Sequence, residues 1–402
     1  CPTGSPPTLD SQPGFELLAF NHGAQVRFVR QNQTCNQVTC ISLQRPNWSN
    51  PTIMNTRIFS LILVAFLLLG GSAQADGRVK VFILAGQSNM EGKAQTKLLN
   101  HQASDPKTAN LFAHLRKDGE WITREDVFIK YLGRHGGLTV GYGSPNRTGV
   151  ELELGTILGD AFDEPVLLIK TAWGGHSLFK LFRSPSAGIP EDRIQAEFKK
   201  LTEWAIRDNK KSNGNIPMPT IEGIRADYGK SYRRMMSEVK GTLAEMETLF
   251  PALKGKTPEL AGFVWFQGWN DQYDGAELEY ASNMEHFIKD VRRDLKVPKL
   301  PFVIGVMGQN QSKPAKGAML AVQEAQLAME KVKGFRKNVR AVRTDILVDR
   351  AAEALFPTWR ENMEEWEKVG SDHPYHYLGS AIWFNRMGNA FAQAMLRLMG
   401  EK

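Results

Sequence analysis

The chain has 402 residues, 42% of them hydrophobic and 23% charged, with a formal net charge of +7; this balance is ordinary for a globular protein and leaves room for one large α/β domain or two small ones. No Lys/Arg block is long enough to read as a nucleic-acid patch, so the basic surplus is taken as a diffuse surface property and no nucleic-acid partner is expected. The three cysteines, Cys1, Cys35 and Cys40, all lie in the first tenth of the chain, which excludes disulfides, thiolate catalysis and cysteine metal sites from everything after it.

Residues 1–53 are rich in Pro, Asn, Gln and Ser and show no clear periodicity. They are read as an unstructured upstream extension outside the fold. Next come Met54-Asn55-Thr56-Arg57, an apolar run from Ile58 to Leu69, and Ser72-Ala73-Gln74-Ala75. A basic residue, a short apolar core and an A-x-A site are the three parts of a secretory signal peptide. The run is too short to span a bilayer comfortably. Residues 54–75 are therefore expected to be removed after Ala75. The remaining domain, 76–402, is then exported to the periplasm or beyond the cell, with no stable membrane anchor.

From Arg78 onward short apolar runs alternate with longer amphipathic stretches. Val79–Ala85, Pro165–Lys170, Gly262–Phe266, Pro301–Val306 and Val339–Arg343 are β-branched or aromatic and bounded by Gly, Pro or charge. They read as strands buried on both faces. Helical spacing fills Val150–Phe162, Asp227–Leu249, Leu278–Leu295, Ala315–Val332 and Gly379–Met399. The alternation predicts a parallel five-stranded sheet with helices on both faces. Two long insertions, residues 91–149 and 174–221, interrupt it, and loops of that length in a compact domain are usually functional.

The residues just past the strands are chemically loaded. Gly86-Gln87-Ser88-Asn89-Met90-Glu91-Gly92 follows the first strand, Thr171-Ala172-Trp173-Gly174-Gly175-His176-Ser177 the second, and Gln267-Gly268-Trp269-Asn270-Asp271 the third. Past the fifth comes Ser371-Asp372-His373-Pro374-Tyr375-His376-Tyr377-Leu378-Gly379. Open parallel sheets bind ligands beyond the carboxyl ends of their strands. A hydroxyl, glycine amides, a carboxamide and an imidazole would meet there, and these are the parts of an acyl-transfer site. Taken singly, Ser88 reads as a helix N-cap, Gly174-Gly175 as a tight turn and Asn270 as turn chemistry. Their joint order and placement favour the catalytic interpretation.

On these motifs the sequence resembles the SGNH hydrolase superfamily, and within it the sialate O-acetylesterase and acetylxylan-esterase-like carbohydrate esterases. The likeness runs from about Arg78 to the C-terminus. Gly86-Gln87-Ser88-Asn89-Met90 matches the nucleophile block, Trp173-Gly174-Gly175 the glycine block, Gly268-Trp269-Asn270-Asp271 the GxND block, and Tyr375-His376-Tyr377 with Gly379 the histidine block. The resemblance implies a flavodoxin-like sheet rather than the α/β-hydrolase elbow. It also implies Ser88 as nucleophile, His376 as base, and an oxyanion hole made by the Ser88 amide, Gly174 or Gly175, and Asn270. The superfamily's acid stands three residues before the histidine. Here His373 occupies that place and Asp372 stands four before, so the imidazole is oriented by Asp372, by another carboxylate or by a backbone carbonyl. His373 as the base is the minority alternative.

The expected activity is removal of O-acetyl groups from an acetylated carbohydrate through an acetyl-serine. The alternatives are an esterase on another small acyl ester and a non-catalytic glycan-binding protein on the same fold. Gln87, Trp173, Gln267, Trp269 and Arg183 are the candidate substrate contacts, the aromatic ones because their faces suit sugar rings. No cofactor is implied. His135, His176 and His286 lack the spacing of metal ligands.

Overall fold

The computed structural model describes residues 77–212 and 214–401; the upstream extension and signal segment read from the sequence lie outside them. Seven strands form the central sheet: β1 (Arg78–Gly86), β2 (Val127–Tyr131), β3 (Arg134–Gly137), β4 (Val166–Ala172), β5 (Thr257–Phe266), β6 (Phe302–Val306) and β7 (Val339–Arg343). Their spatial order is β7-β6-β5-β1-β4-β2-β3. All pairs are parallel except β2–β3.

The five expected strands are present, and β2 and β3 correct the count. They form a hairpin inside the first insertion, closed by Leu132-Gly133 between the paired residues Tyr131 and Arg134. Strand β2 carries a run that is buried at Val127, Phe128, Ile129 and Tyr131. Its partner β3 reads Arg-His-Gly-Gly, with no β-branched or aromatic residue, and lies at the sheet edge. Such a strand is supported by its neighbour rather than by its own propensity.

The main helices are α1 (Glu151–Ala161), α2 (Glu191–Ser212), α3 (Lys230–Ala244), α4 (Tyr280–Asp294), α5 (Gly317–Ala328) and α6 (Ala381–Met399). Alternation along β1 divides the core in two. Phe82 and Leu84 face one cluster with Leu154 and Leu158 of α1 and Met387 and Phe391 of α6. Val79, Val81, Ile83 and Ala85 face the other, with Met235 and Val239 of α3 and Met284 and Phe287 of α4. Helix α2 fills much of the second insertion, and its Ile194 packs with Ile224 and Tyr228 in a small satellite cluster. Among the described residues no helix is long and apolar enough to cross a membrane.

Candidate active site

Register puts three loops at one level. Gly86, the last residue of β1, pairs with Ala172 on β4 and with Phe266 on β5. The chain therefore leaves three adjacent strands together, just before Ser88, Trp173-Gly174 and Gln267-Gly268. Gly86 has φ +153°, and a Cβ there would lie 2.1 Å from the Phe266 carbonyl oxygen, so only glycine lets β1 and β5 stay paired up to the turn.

Ser88 opens a single helical turn, Ser88–Glu91, for which Gln87 is the N-cap residue. The Ser88 hydroxyl therefore does not serve as the cap. The first amides of a helix have no carbonyl within the helix to bind, which leaves the Ser88 N–H without an intrahelical partner. Met90 anchors the turn in the core. The residues on either side of Ser88 reach the other loops. Gln87 Nε2 donates to Asn270 Oδ1 at 3.0 Å, and Asn89 Nδ2 donates to the Tyr375 carbonyl at 3.0 Å.

The glycine block lies against the serine: a Cβ placed on Gly174 would come within 3.8 Å of Ser88 Cβ. Its amide, however, donates to Glu91 Oε1 at 2.7 Å. Glu91 Oε2 accepts from Lys93 Nζ at 2.7 Å and from Ser144 Oγ at 2.9 Å. Burial raises the Glu91 carboxyl, but Lys93, Ser144 and the Gly174 N–H outweigh it and hold the group ionised below its ordinary range. Of the two expected glycine donors, Gly174 is thus already bound to a carboxylate. Gly175 is exposed with φ +76°.

The third loop is fixed from beneath. Gln87 Oε1 accepts from the amides of Gly268 and Asn270 at 3.3 and 3.4 Å. With Asn270 Oδ1 held by Gln87, the Asn270 NH₂ is turned away as a free donor among the described residues. Asp271 is fully buried and accepts from the Leu178 and Phe179 amides at 2.8 and 2.7 Å, joining this loop to the glycine loop. Gln267 bonds the His176 carbonyl, Asp271 and Tyr280.

The histidine loop contains a 3₁₀ segment, Pro374–Gly379, with proline in its first turn. The His376 and Leu378 amides both donate to the His373 carbonyl, a tight non-helical turn that folds the chain back so that His376 Nδ1 lies 3.1 Å from Asp372 Oδ2. Nδ1 has no other polar partner among the described residues, and the His376 ring lowers the Asp372 carboxyl both as a hydrogen-bond partner and as a charge. Asp372 also receives Arg147 Nη1 at 2.7 Å and the His373 amide at 2.8 Å. Burial would raise Asp372; the His376 ring, the His373 N–H and Arg147 bring it down to about 2. Gly379 closes the loop at φ +57°, where a Cβ would lie 2.4 Å from Ser371 Oγ. The His373 ring is stacked on Tyr375 at 5.3 Å and edges against Phe356 and Trp359.

The structure thus gathers Ser88, Gly174, Asn270, His376 and Asp372. The remaining candidates stand differently. Gln87 and Gln267 are each only 2% exposed, with their amides committed inside the wall. The Arg183 guanidinium is bound by the Gly188, Phe179 and Ala187 carbonyls and by Glu279. Trp173 is packed between His176 and Phe182 with Arg234 over its ring at 4.7 Å. Trp269 is partly exposed and meets Tyr375 at 5.9 Å. Among the described residues no group of three or more His, Cys, Asp or Glu is placed to hold a metal ion.

Sequence reasoning missed Asn89, Glu91, Arg147 and Lys170. The last had a visible signal, a lysine ending an apolar buried strand. Fully buried, its ammonium meets Glu151 Oε2 at 2.8 Å, the Glu91 carbonyl at 2.6 Å and the Tyr142 carbonyl at 2.8 Å. It thereby ties the Ser88 turn to the first insertion and to α1. Lys170→Met strands Glu151 without its partner and is expected to cost roughly 3–5 kcal/mol, read as a lower midpoint in urea unfolding. A loss below about 1 kcal/mol would show that the pair is not needed to hold the fold.

Residues 78–354 match the family described as carbohydrate esterase, sialic acid-specific acetylesterase. No curated protein matches the sequence. Among solved structures, a protein from Arabidopsis thaliana aligns with TM-score 0.43 and 16% identity, over 80% of this chain and 98% of its own. XAC1771, titled a novel carbohydrate acetylesterase from Xanthomonas citri, aligns with TM-score 0.42 and 14% identity, over 80% of this chain and 57% of its own. NanS aligns with TM-score 0.43 and 14% identity, over 82% of this chain and 99% of its own.

Proposed function

The chain belongs to the sialic acid-specific acetylesterase family of carbohydrate esterases, and from that premise we propose that it cleaves O-acetyl groups from carbohydrate through an acetyl-Ser88 intermediate. His376 is the base and Asp372 its orienting acid. The observation that carries this reading is the bonding on either side of Ser88: Gln87 holds Asn270, and Asn89 holds the loop of His376. The nucleophile, an oxyanion donor and the base are thus braced against one another by neighbouring side chains.

In the forward half-reaction His376 Nε2 takes the Ser88 proton as Oγ bonds to the acetyl carbon. The carbonyl oxygen becomes an oxyanion held by the Ser88 N–H and the Asn270 NH₂. Collapse breaks the ester C–O bond, and the imidazolium returns its proton to the departing sugar oxygen. Water then attacks the acetyl-enzyme by the same route and releases acetate. Asp372, kept ionised by Arg147 and the His373 amide, stabilises the imidazolium and fixes its tautomer. Gly174 has a different part in this scheme: its amide belongs to Glu91, and the oxyanion rests on two donors. The export signal read in residues 54–75 fits an enzyme that meets glycans outside the cytoplasm.

Acetate release from acetylated xylan, O-acetylated sialic acids and other acetylated glycans tests the reading. At least one should be deacetylated with ordinary enzymatic turnover, about 1–10³ s⁻¹. Hydrolysis of p-nitrophenyl acetate with no release from any glycan would leave an esterase on another acyl ester.

A further inference from the structure

Beyond the family match, which ends at residue 354, lies an aromatic cluster with no part in the scheme above. Phe356, Trp359 and Trp366 pack together, with Trp359 6.4 Å from Phe356 and 6.2 Å from Trp366. With Arg147, Ser371, Asp372 and His373 they line a cleft of about 160 Å³. A second hollow of about 150 Å³ shares Trp359, Trp366 and Ser371 and continues past Gln95 and Lys97. The cleft connects to the reacting histidine by an unbroken series of rings. His373, on its wall, stacks on Tyr375 at 5.3 Å, and Tyr375 meets His376 at 4.5 Å and Trp269 at 5.9 Å. Tyr375 is 38% exposed although it is a large aromatic residue.

We infer that this cleft is a glycan subsite, occupied by sugar residues adjoining the one whose acetyl group reaches Ser88, so that the preferred substrate is an acetylated oligosaccharide or polysaccharide chain. The inference rests on the esterase reading. Its lining has the composition such sites need: apolar rings for the CH faces of a pyranose, and a few fixed polar groups for its hydroxyls. Trp366 is the buried floor and Trp359 the half-exposed wall. Proximity favours a chain over other apolar ligands, because the cleft opens one ring away from the base. The Arg147–Asp372 ion pair, at 2.7 Å, forms part of the cleft's own lining and offers fixed polar groups to sugar hydroxyls there.

The test compares free O-acetylated sialic acid with O-acetylated sialyllactose, and acetylated xylose with acetylated xylotetraose. In the series the enzyme accepts, KM should fall about tenfold from the free sugar to the chain, and Trp359→Ala should erase that fall, the truncation of one central aromatic contact being of that size. Trp359→Phe, which keeps a ring and guards against a folding defect, should retain part of it. Equal KM for sugar and chain, or a chain advantage that survives Trp359→Ala, overturns the subsite. If neither series releases acetate, the esterase reading of the site fails separately. The subsite is then read by tryptophan fluorescence titration with unacetylated xylotetraose and sialyllactose. Saturable quenching that Trp359→Ala removes supports it, and no quenching overturns it.

Discussion

Ser88→Ala is expected to lower kcat on an acetyl ester by on the order of 10⁶, with the fold retained. The reason is geometric. Ser88 is the first residue of a helical turn that Met90 anchors below and that Gln87 and Asn89 bind on either side. No neighbouring hydroxyl is equivalent: Thr171 Oγ1 is buried and donates to the Leu84 carbonyl at 3.4 Å, and Ser144 Oγ is held by Glu91. Alanine removes only the Oγ of a side chain that is 6% exposed, so the turn has little cause to rearrange. Acetate release and circular dichroism measured on the same preparation decide the matter. A folded variant within tenfold of wild-type turnover would remove Ser88 from the chemistry.

The second large effect concerns the histidine loop. His376→Ala should approach the Ser88→Ala loss, whereas His373→Ala should cost far less, since the His373 ring stacks on Tyr375 and edges against Phe356 and Trp359. Asp372→Asn should lower kcat by on the order of 10⁴, because an amide facing Nδ1 selects the wrong imidazole tautomer. The three variants are compared by kcat/KM on one acetyl ester; an inactive His373→Ala beside an active His376→Ala would reverse the assignment. Stability supplies a second readout. Asp372 has its carboxyl lowered in the folded state from 3.8 to about 2, so its charge stabilises the fold above the unfolded value near 3.8. That contribution is lost as pH falls through about 2. Asp372→Asn should therefore be less stable than wild type at neutral pH, and the gap should close between about pH 4 and 2.

Most of the sheet was legible in the sequence because β1, β4, β6 and the second half of β5 are short buried apolar runs; the edge strand β7 was also found, although it is buried only at Val339 rather than on both faces. Strand β3 was not, since Arg134-His135-Gly136-Gly137 has neither pattern nor propensity and exists through its pairing with β2. Helix α2 hid in a segment classed as an insertion, although Ile194, Phe198, Leu201 and Ala205 stand at helical spacing along one side. The segments holding Ser88, Gly174, Asn270 and His376 could be picked out because each is a local motif. The sequence left open what faces the His376 imidazole; Asp372 comes within 3.1 Å of Nδ1 through a non-helical turn at His373–His376, a geometry that residue spacing alone does not specify. Glu91 on the Gly174 amide and Arg147 on Asp372 were out of reach, because both contacts join segments that only the assembled sheet brings near.

That last point bears on how the protein becomes active. The level at which Gly86 meets Ala172 and Phe266 is set by parallel pairings between strands far apart in the chain. Such pairings close large loops and form slowly. Helices such as α3 and α6 can form from local contacts alone, but Ser88, Asn270 and His376 have no common location until β1 is flanked by both β4 and β5. The site proposed here thus depends on long-range strand pairing rather than on any one local segment.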